Sequence, residues 1–423
     1  MIRHLIAATS AAACLALGAM AETYAVIGEK VWTGTDAGTI DDGIVIIRDG
    51  RIVTVGGPDT PVPEEATVVN AEWVTPGLIS AFSRTGIVEV DAEDSTNDTS
   101  AALSPFSVSL NAADGFNPDD TAIDVTRIAG VTRIVVAPSP ATNLFAGQGF
   151  VADTTGSQET ALRERAFLYM SMGEGGAGLA GGSRPAAWAQ LRAALDDARA
   201  YPGRYAGGGE GDVLTRRDAQ ALASAARGQQ LILVSVRSAT DLNALMDLAE
   251  SDRALKFAVV GGDEAWRVAD RLAALRIPVI LDAFSNLPGS FDQLAATQEN
   301  ASRLVAAGVS IAIVNLGNDS HLARLMTQIA GNAVANGLDW DEAMKSLTVT
   351  PAKIFGLSGY GTLAVGARGD VVAWDGDPLE NTSNTDAVFI DGVPQDLTSR
   401  QTELRDRYRT LDESQRPLAY VHP

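Results

Sequence analysis

The sequence predicts an α/β protein: a TIM-like (β/α)8 barrel with a small split β-sandwich domain formed by the N- and C-terminal flanks. Short apolar strands and tight turns fill the chain before Pro76, and they return after Leu357. Between these flanks, apolar strands alternate with helical patterns, as in parallel βα units. The length of 423 residues suits one barrel-sized unit plus an accessory module.

Residues 1–21 have the pattern of a cleaved signal peptide. Arg3 and His4 precede an apolar run over residues 5–17, and Ala19-Met20-Ala21 has the small-x-small form of a cleavage site. The run is shorter than the roughly 20 residues that span a bilayer. We therefore expect a secreted, periplasmic protein that begins at Glu22. Its single cysteine, Cys14, lies in the signal, so the mature chain has no thiol.

The first flank, residues 22–75, is predicted to be the first part of the β-domain. The pair Asp49-Gly50 stands between two alternating apolar runs within residues 43–56. Because a tight hairpin turn needs positive φ angles, this pair predicts a hairpin. Residues 357–397 have the same β texture and form the predicted second part, while residues 398–423 read as a polar tail or terminal helix.

The barrel is predicted over residues 76–356. Its candidate strands are residues 78–82, 132–137, 166–170, 231–236, 257–260, 279–283 and 310–314. Its candidate helices include residues 186–199, 241–250, 264–275 and 293–307. Seven visible strands and one hidden strand fit an eight-stranded barrel. A doubly wound open sheet is the alternative, but no Gly-x-Gly-x-x-Gly follows the first strand.

The charge of the chain restricts its partners. With 32 basic and 53 acidic residues, the formal net charge is −21. Such a surface repels phosphate backbones and anionic membranes, so we expect no nucleic acid and no membrane insertion.

Several motifs, in this order, resemble the amidohydrolase superfamily, nearest its imidazolonepropionase-like secreted members. They are the hairpin over residues 46–56, Thr75-Pro76-Gly77-Leu78-Ile79, Thr350-Pro351-Ala352-Lys353-Ile354-Phe355-Gly356-Leu357, and Gly369-Asp370-Val371-Val372-Ala373-Trp374. The resemblance covers nearly all of the predicted mature chain. It implies hydrolysis of carbon–nitrogen bonds, in cyclic amides or dipeptide-like substrates, by water bound to one or two divalent metals at the barrel mouth.

The positions of the family's metal ligands hold other residues here. Where the family carries His-x-His at the end of the first barrel strand, this chain has Phe82 and Arg84, and a later ligand-bearing strand end has Ser235 and Arg237. Phe and Arg do not bind cations. The chain has three histidines, at positions 4, 321 and 422, so the usual binuclear site cannot be assembled.

Two residues after the last predicted strand retain catalytic chemistry. The resemblance implies that Asp319 is the catalytic aspartate, and His321 is a candidate ligand for one divalent cation such as zinc. Alternatively, Asn318, Asp319 or Ser320 caps the following helix. The loop acids Glu89, Asp91, Glu93 and Asp94 offer a second cation site or, more simply, a solvated acidic loop.

Arg84 and Arg237 are the candidate ligand-binding residues. Near the mouth they would pair with a substrate carboxylate or form structural ion pairs. The combined expectation is a weakly active or non-catalytic protein that binds a small amide or anionic ligand, or that acts as partner subunit to a paralogous amidohydrolase or as a homo-oligomer. The alternative is an active hydrolase with a remodelled mono-metal or metal-free site.

Overall fold

A computed structural model describes residues 22–90, 92–158, 161–317, 320–409, 411–412 and 414. The predicted signal peptide lies outside the described residues, as do Asn318 and the candidate catalytic residue Asp319. None of the described helices is long and apolar enough to cross a membrane.

Fifteen strands are described within these residues. They are β1 (Thr23–Trp32), β2 (Thr39–Arg48), β3 (Arg51–Gly56), β4 (Thr67–Pro76), β5 (Leu78–Ser83), β6 (Val131–Val136), β7 (Phe145–Asp153), β8 (Ala161–Ser171), β9 (Leu231–Val236), β10 (Lys256–Gly261), β11 (Val279–Leu281), β12 (Ile311–Ile313), β13 (Val371–Trp374), β14 (Thr385–Ile390) and β15 (Val393–Pro394).

Eleven α-helices accompany the strands in the same described ranges. They are α1 (Thr121–Ile128), α2 (Gly173–Leu179), α3 (Arg184–Arg199), α4 (Arg216–Ala226), α5 (Ala239–Ser251), α6 (Ala269–Leu275), α7 (Asn300–Ala306), α8 (Met326–Ala335), α9 (Trp340–Leu347), α10 (Val349–Phe355) and α11 (Arg400–Tyr408).

The two flanks of the chain build one seven-stranded sheet in the order β15-β14-β13-β4-β1-β2-β3. The flanks join where β13 pairs antiparallel with β4, with Trp374 opposite Trp73. The predicted hairpin turn is present, because Asp49 and Gly50 have φ angles of 53° and 75°. Since all these strands are hydrogen-bonded into a single sheet, the sandwich part of the expectation is not confirmed.

The central segment forms an eight-stranded sheet in the order β12-β11-β10-β9-β8-β7-β6-β5. Strands β5 and β12 also lie against each other, so the sheet is a nearly closed, TIM-like barrel. Buried side chains including Ile79, Val135, Phe167 and Leu233 fill one core cluster together with Phe355 of α10. The C-terminal ends of the parallel strands lie together at one end of the barrel, which we call the mouth.

The strand that the sequence hides is β7, and it departs from a regular (β/α)8 barrel. It pairs antiparallel with both β6 and β8, because the connections on either side of it are too short for a parallel crossover. Glycines at 147 and 149 lower its β propensity and conceal it in the sequence. Gly149 is required by packing, since a Cβ there would lie 2.0 Å from the Phe167 ring.

Two predicted helices are shorter than expected. The one predicted over residues 293–307 is α7 alone, which begins at Asn300. The one predicted over residues 264–275 is a short 3-10 turn, Ala265–Val268, followed by α6. In both places hydrogen bonds to side chains hold the preceding residues outside the helix, as described for Glu264 below.

Candidate ligand-binding site at the barrel mouth

The end of β5 carries Phe82 and Arg84 at the mouth. Phe82 is buried and packs edge-on against Tyr169 of β8, with ring centroids 5.1 Å apart. The Arg84 guanidinium carbon lies 5.4 Å from the centroid of the Phe82 ring. Ser80, two residues earlier on the same strand, donates its hydroxyl to the Phe82 carbonyl at 3.1 Å. This strand end therefore places a half-buried cation, Arg84, next to the buried ring of Phe82.

Arg237 follows β9 and is held on two sides. Its Nη1 donates to Gln293 Oε1 at 2.5 Å, and its Nε lies 3.9 Å from Asp263 Oδ2. The side chain is nonetheless 48% exposed, whereas that of Asp263 is 10% exposed. Because a guanidinium has five N–H donors, these two contacts leave donors for a ligand. The ion-pair expectation and the ligand expectation for Arg237 are thus compatible.

Two carboxylates that the sequence did not single out follow neighbouring strands: Asp263, which lies 3.9 Å from Arg237, and Asp282, which interacts with Asp263. Asp263 follows β10 and accepts a short hydrogen bond from the Ser285 hydroxyl. Asp282 follows β11 and accepts from the backbone N–H groups of Phe284 at 2.9 Å and Leu316 at 3.0 Å. Burial raises the pKa of Asp282, and the nearby charge of Asp263 raises it further. The sequence signal that could have identified Asp282 is an aspartate directly after an apolar strand.

A loop over residues 282–299 borders the mouth and is anchored by the residues after β10. The Glu264 carboxylate accepts from the N–H of Ala295 at 2.9 Å and from that of Ala239 at 3.0 Å. Trp266 donates its ring N–H to the Ala295 carbonyl at 2.8 Å. Gln293 ends a 3-10 turn, Phe291–Gln293. These bonds, with the Gln293–Arg237 contact, hold residues 294–299 outside α7.

His321 lies on the far side of the β5 loop, near the start of α1. The neighbouring Ser320 donates its hydroxyl to the Val88 carbonyl at 3.1 Å. It does not cap the next helical turn, Ala323–Leu325, because Leu322 is the N-cap residue there and no side chain accepts from the turn. Asp120, the N-cap of α1, has a pKa raised by burial and partly lowered by its backbone hydrogen bonds and by the charge of His321. His321 is thereby placed beside the buried carboxylate of Asp120.

Glu89 and Glu93 make separate contacts, and Asp91 lies outside the described residues. Glu93 caps a short 3-10 turn by accepting from Ser95, which lowers the pKa of Glu93. Glu89 instead accepts from the Asn117 side chain at 2.8 Å. Across the described ranges, no three His, Cys, Asp or Glu side chains lie close enough together to hold a metal ion. The strand-end residues Phe82, Arg84 and Arg237 do not fit the ligand set that the resemblance implies.

The sequence of this chain is similar to those of known amidohydrolases. The model described as the amidohydrolase family matches residues 235–394. An imidazolonepropionase of Rhizorhabdus wittichii is 27% identical over 375 residues, which are 81% of this chain and 90% of that protein. The amidohydrolase tasK of Hapsidospora irregularis is 24% identical over 422 residues. That match covers 86% of this chain but only 42% of the relative, so the chain spans less than half of tasK.

Solved structures agree with these matches. An amidohydrolase from Thermotoga maritima superposes with a TM-score of 0.77 at 25% identity, over 88% of this chain and 99% of that one. Ochratoxinase of A. niger, at 15% identity, has a TM-score of 0.52 over 88% of this chain and 95% of its own, and shows the fold alone. The barrel, the ordered motifs and these relatives together make the chain similar to proteins of the amidohydrolase superfamily.

Proposed function

We propose that this protein is a secreted, periplasmic member of the superfamily that binds an anionic small molecule at the barrel mouth instead of hydrolysing amides with a binuclear metal centre. One observation carries the proposal: the strand-end positions of the family's ligands hold Phe82 with Arg84 on β5 and Ser235 with Arg237 on β9. Cationic side chains there replace the charge of a metal with fixed donors for a carboxylate.

Arg237 is the principal ligand contact in this proposal. Gln293 and Asp263 fix the direction of its guanidinium, and its exposed part faces solvent. A pre-positioned guanidinium loses less conformational freedom on binding than a mobile one. The half-buried Arg84, stacked near Phe82, supplies a second cation at the same end of the barrel.

The test combines metal analysis with ligand binding on the purified mature protein. We expect no stoichiometric zinc or manganese by elemental mass spectrometry, and no turnover of a dipeptide and cyclic-amide panel. Glutarate and N-acetylglutamate should raise the melting temperature, since a ligand that binds only the folded state stabilises it. Arg237→Ala should abolish that rise.

The matched control is Arg253→Ala. Arg253 is exposed and precedes β10, at the end of the barrel away from the mouth. Stoichiometric metal with turnover, or stabilisation that survives Arg237→Ala, would overturn the binder proposal.

A role as partner subunit, or assembly as a homo-oligomer, has a specific observation in its favour. The loop over residues 282–299 exposes Phe284, Leu287, Phe291 and Leu294, with Phe291 93% exposed. Large apolar side chains grouped on one loop are typical of protein contacts. Light scattering of the wild type and Phe291→Ser, with a search for co-purifying amidohydrolases, tests this role.

A remodelled hydrolase is the remaining candidate, and Asp282 favours it. A carboxyl whose pKa is raised by burial is a suitable proton donor or acceptor at a catalytic mouth. In that case Asp319→Ala or Asp282→Asn should each abolish turnover, and Asp319 and His321 would take the roles of base and single-metal ligand.

A further inference from the structure

A second cavity opens away from the mouth, beside the antiparallel β7–β8 pair. Its volume is about 1000 Å³, and its walls come from the loop over residues 98–114, the first half of β8, and α4. Arg84, Arg237, Asp263 and Asp282 do not line it. We call this cavity the side groove.

The lining of the side groove is charged with both signs. Asp98 and Asp114 come from the loop, whereas Arg165 of β8 and Arg217 of α4 come from the other elements. In the described part of the chain, neither arginine has a hydrogen-bond or ion-pair partner. Arg163 and Glu164 also line the groove, so its lining holds three basic and three acidic side chains in a chain of net charge −21. Arg165 and Arg217 keep their donors available for a carboxylate.

Arg217 is not explained by the stability of its helix. It lies in the first turn of α4, where Thr215 is the N-cap. A cation in the first turn opposes the helix dipole and costs a few tenths of a kcal/mol. Replacing Arg217 should therefore leave the fold intact.

A chain of amides fixes the orientation of Gln230 in the groove lining. Gln148 donates its Nε2 to the Val108 carbonyl at 3.0 Å, so its Oε1 is left to accept from Gln230 Nε2 at 2.6 Å. Gln230 Nε2 also donates to the Arg165 carbonyl at 2.8 Å. The remaining Gln230 Oε1 is buried and accepts no hydrogen bond from the described residues.

Asn111 presents the same unmet need. Its Nδ2 donates to Asp114 Oδ1 at 3.1 Å, which fixes the amide orientation. Asn111 Oδ1 is buried and likewise has no donor among the described residues. Since buried acceptors are nearly always satisfied, these two oxygens require N–H or O–H donors from a bound molecule or from water.

The backbone at Arg165 is also unusual. Its φ angle is 47°, which is rare outside glycine, and it lies where the β7–β8 register shifts between Gly149 and Val151. Bulges of this kind re-aim side chains beside binding sites. The hydrogen bond from Gln230 to the Arg165 carbonyl holds this conformation.

We propose that the side groove binds a short zwitterionic peptide. Arg165 and Arg217 receive its terminal carboxylate, and Asp98 and Asp114 receive its ammonium group. The groove has one partly exposed aromatic residue, Phe106, so it offers little of the stacking surface that favours sugars. The proposal is independent of the ligand at the mouth.

Titration calorimetry of the whole mature protein with tetra-alanine tests this. We expect tetra-alanine to bind, and both its N-acetyl and its C-amide forms to bind at least about tenfold more weakly, because each lacks one charge. Arg217→Gln should weaken tetra-alanine binding by at least about tenfold. Arg216→Gln, which alters the adjacent exposed arginine outside the lining, should leave it unchanged.

Circular dichroism melts of both variants verify the fold. The proposal is overturned if no form of tetra-alanine binds, if the blocked forms bind as well as the free peptide, or if Arg217→Gln binds like the wild type. Loss of tetra-alanine binding in Arg237→Ala but not in Arg217→Gln would move the peptide to the mouth. That result would leave the mouth proposal standing and remove the groove.

Discussion

The two ends of the barrel each contain an arginine among carboxylates, and the two arrangements differ in burial. At the end opposite the mouth, which we call the closed end, Arg133 of β6 is fully buried. It donates two hydrogen bonds of 2.7 Å to Asp370 and one of 2.9 Å to Asp391. At the mouth, Arg237 is 48% exposed and lies 3.9 Å from Asp263. In the first arrangement, Nε and Nη2 of Arg133 donate to carboxylates, and Nη1 is buried 3.4 Å from Asp153 without a hydrogen bond. In the second arrangement, about half of the side chain is open to solvent. The fold therefore encloses the first arginine, whereas the second stays accessible.

The cluster of Arg133, Asp370 and Asp391 also connects the barrel to the sheet of the flanks. Arg133 belongs to the barrel. Asp370 directly precedes β13, and Asp391 directly follows β14, in the sheet of the flanks. Asp153, at the end of β7, lies 3.4 Å from Arg133, and Tyr360 stacks 4.8 Å from its guanidinium carbon. Burial opposes the charged form of Arg133, but Asp370 more than compensates, so the net effect is a raised pKa.

The largest effect should follow Arg133→Met. Removing the cation leaves buried carboxylates unpaired, so the free energy of unfolding should fall by about 3–5 kcal/mol, measured by urea denaturation. Arg368→Met is the control, because Arg368 is partly exposed and 3.3 Å from Asp391. It should cost less than about 1 kcal/mol. Equal losses in the two variants would contradict the distinction between the ends.

Arg237→Ala should change stability little. Its pair with Asp263 is long and half-exposed, and such pairs contribute about 0–1 kcal/mol. The same urea measurement should place this variant within about 1 kcal/mol of the wild type while ligand stabilisation disappears. A loss as large as that of Arg133→Met would make Arg237 a structural residue.

The smallest effect is a pH dependence at Asp282. Burial raises the pKa of Asp282 in the folded state, so the folded protein binds this proton more tightly than the unfolded chain. The wild type therefore loses stability, relative to Asp282→Asn, as pH rises from the unfolded pKa of about 3.9 through the raised folded value. Parallel unfolding series at several acidic pH values measure the difference. A difference that is constant with pH would refute the assigned cause.

Much of the architecture could be predicted from local patterns. The sequence predicts strand β9 with its observed bounds, because five of its six residues are apolar and polar segments flank it. The hairpin at Asp49-Gly50 was predicted because its turn chemistry is local. The sequence does not reveal strand β7, since Gly149 is needed for packing against Phe167 and Gly147 for a close approach to Leu110, contacts that only the folded sheet shows.

The site was predictable only in part. The resemblance singles out Arg84 and Arg237, and their role as ligand contacts stays a prediction. Gln293 is predicted at the start of a long helix, whereas it ends a 3-10 turn and accepts a hydrogen bond from Arg237. Asp263 and Asp282 gained meaning only from their proximity, which no sequence spacing encodes. His321 was expected at the mouth, and the contact that the structure records for it is with Asp120, beside α1.

The pairing of β4 with β13 has a consequence for how the chain matures. Trp374 donates its ring N–H to Thr75 across a separation of 299 residues, so the first four strands lack their neighbour until almost the whole chain has been synthesised. Long-range pairings of this kind slow folding and leave strand edges open to aggregation. A protein of this topology completes its sheet late, and a chaperone that shields β4 in the meantime would protect the newly made chain.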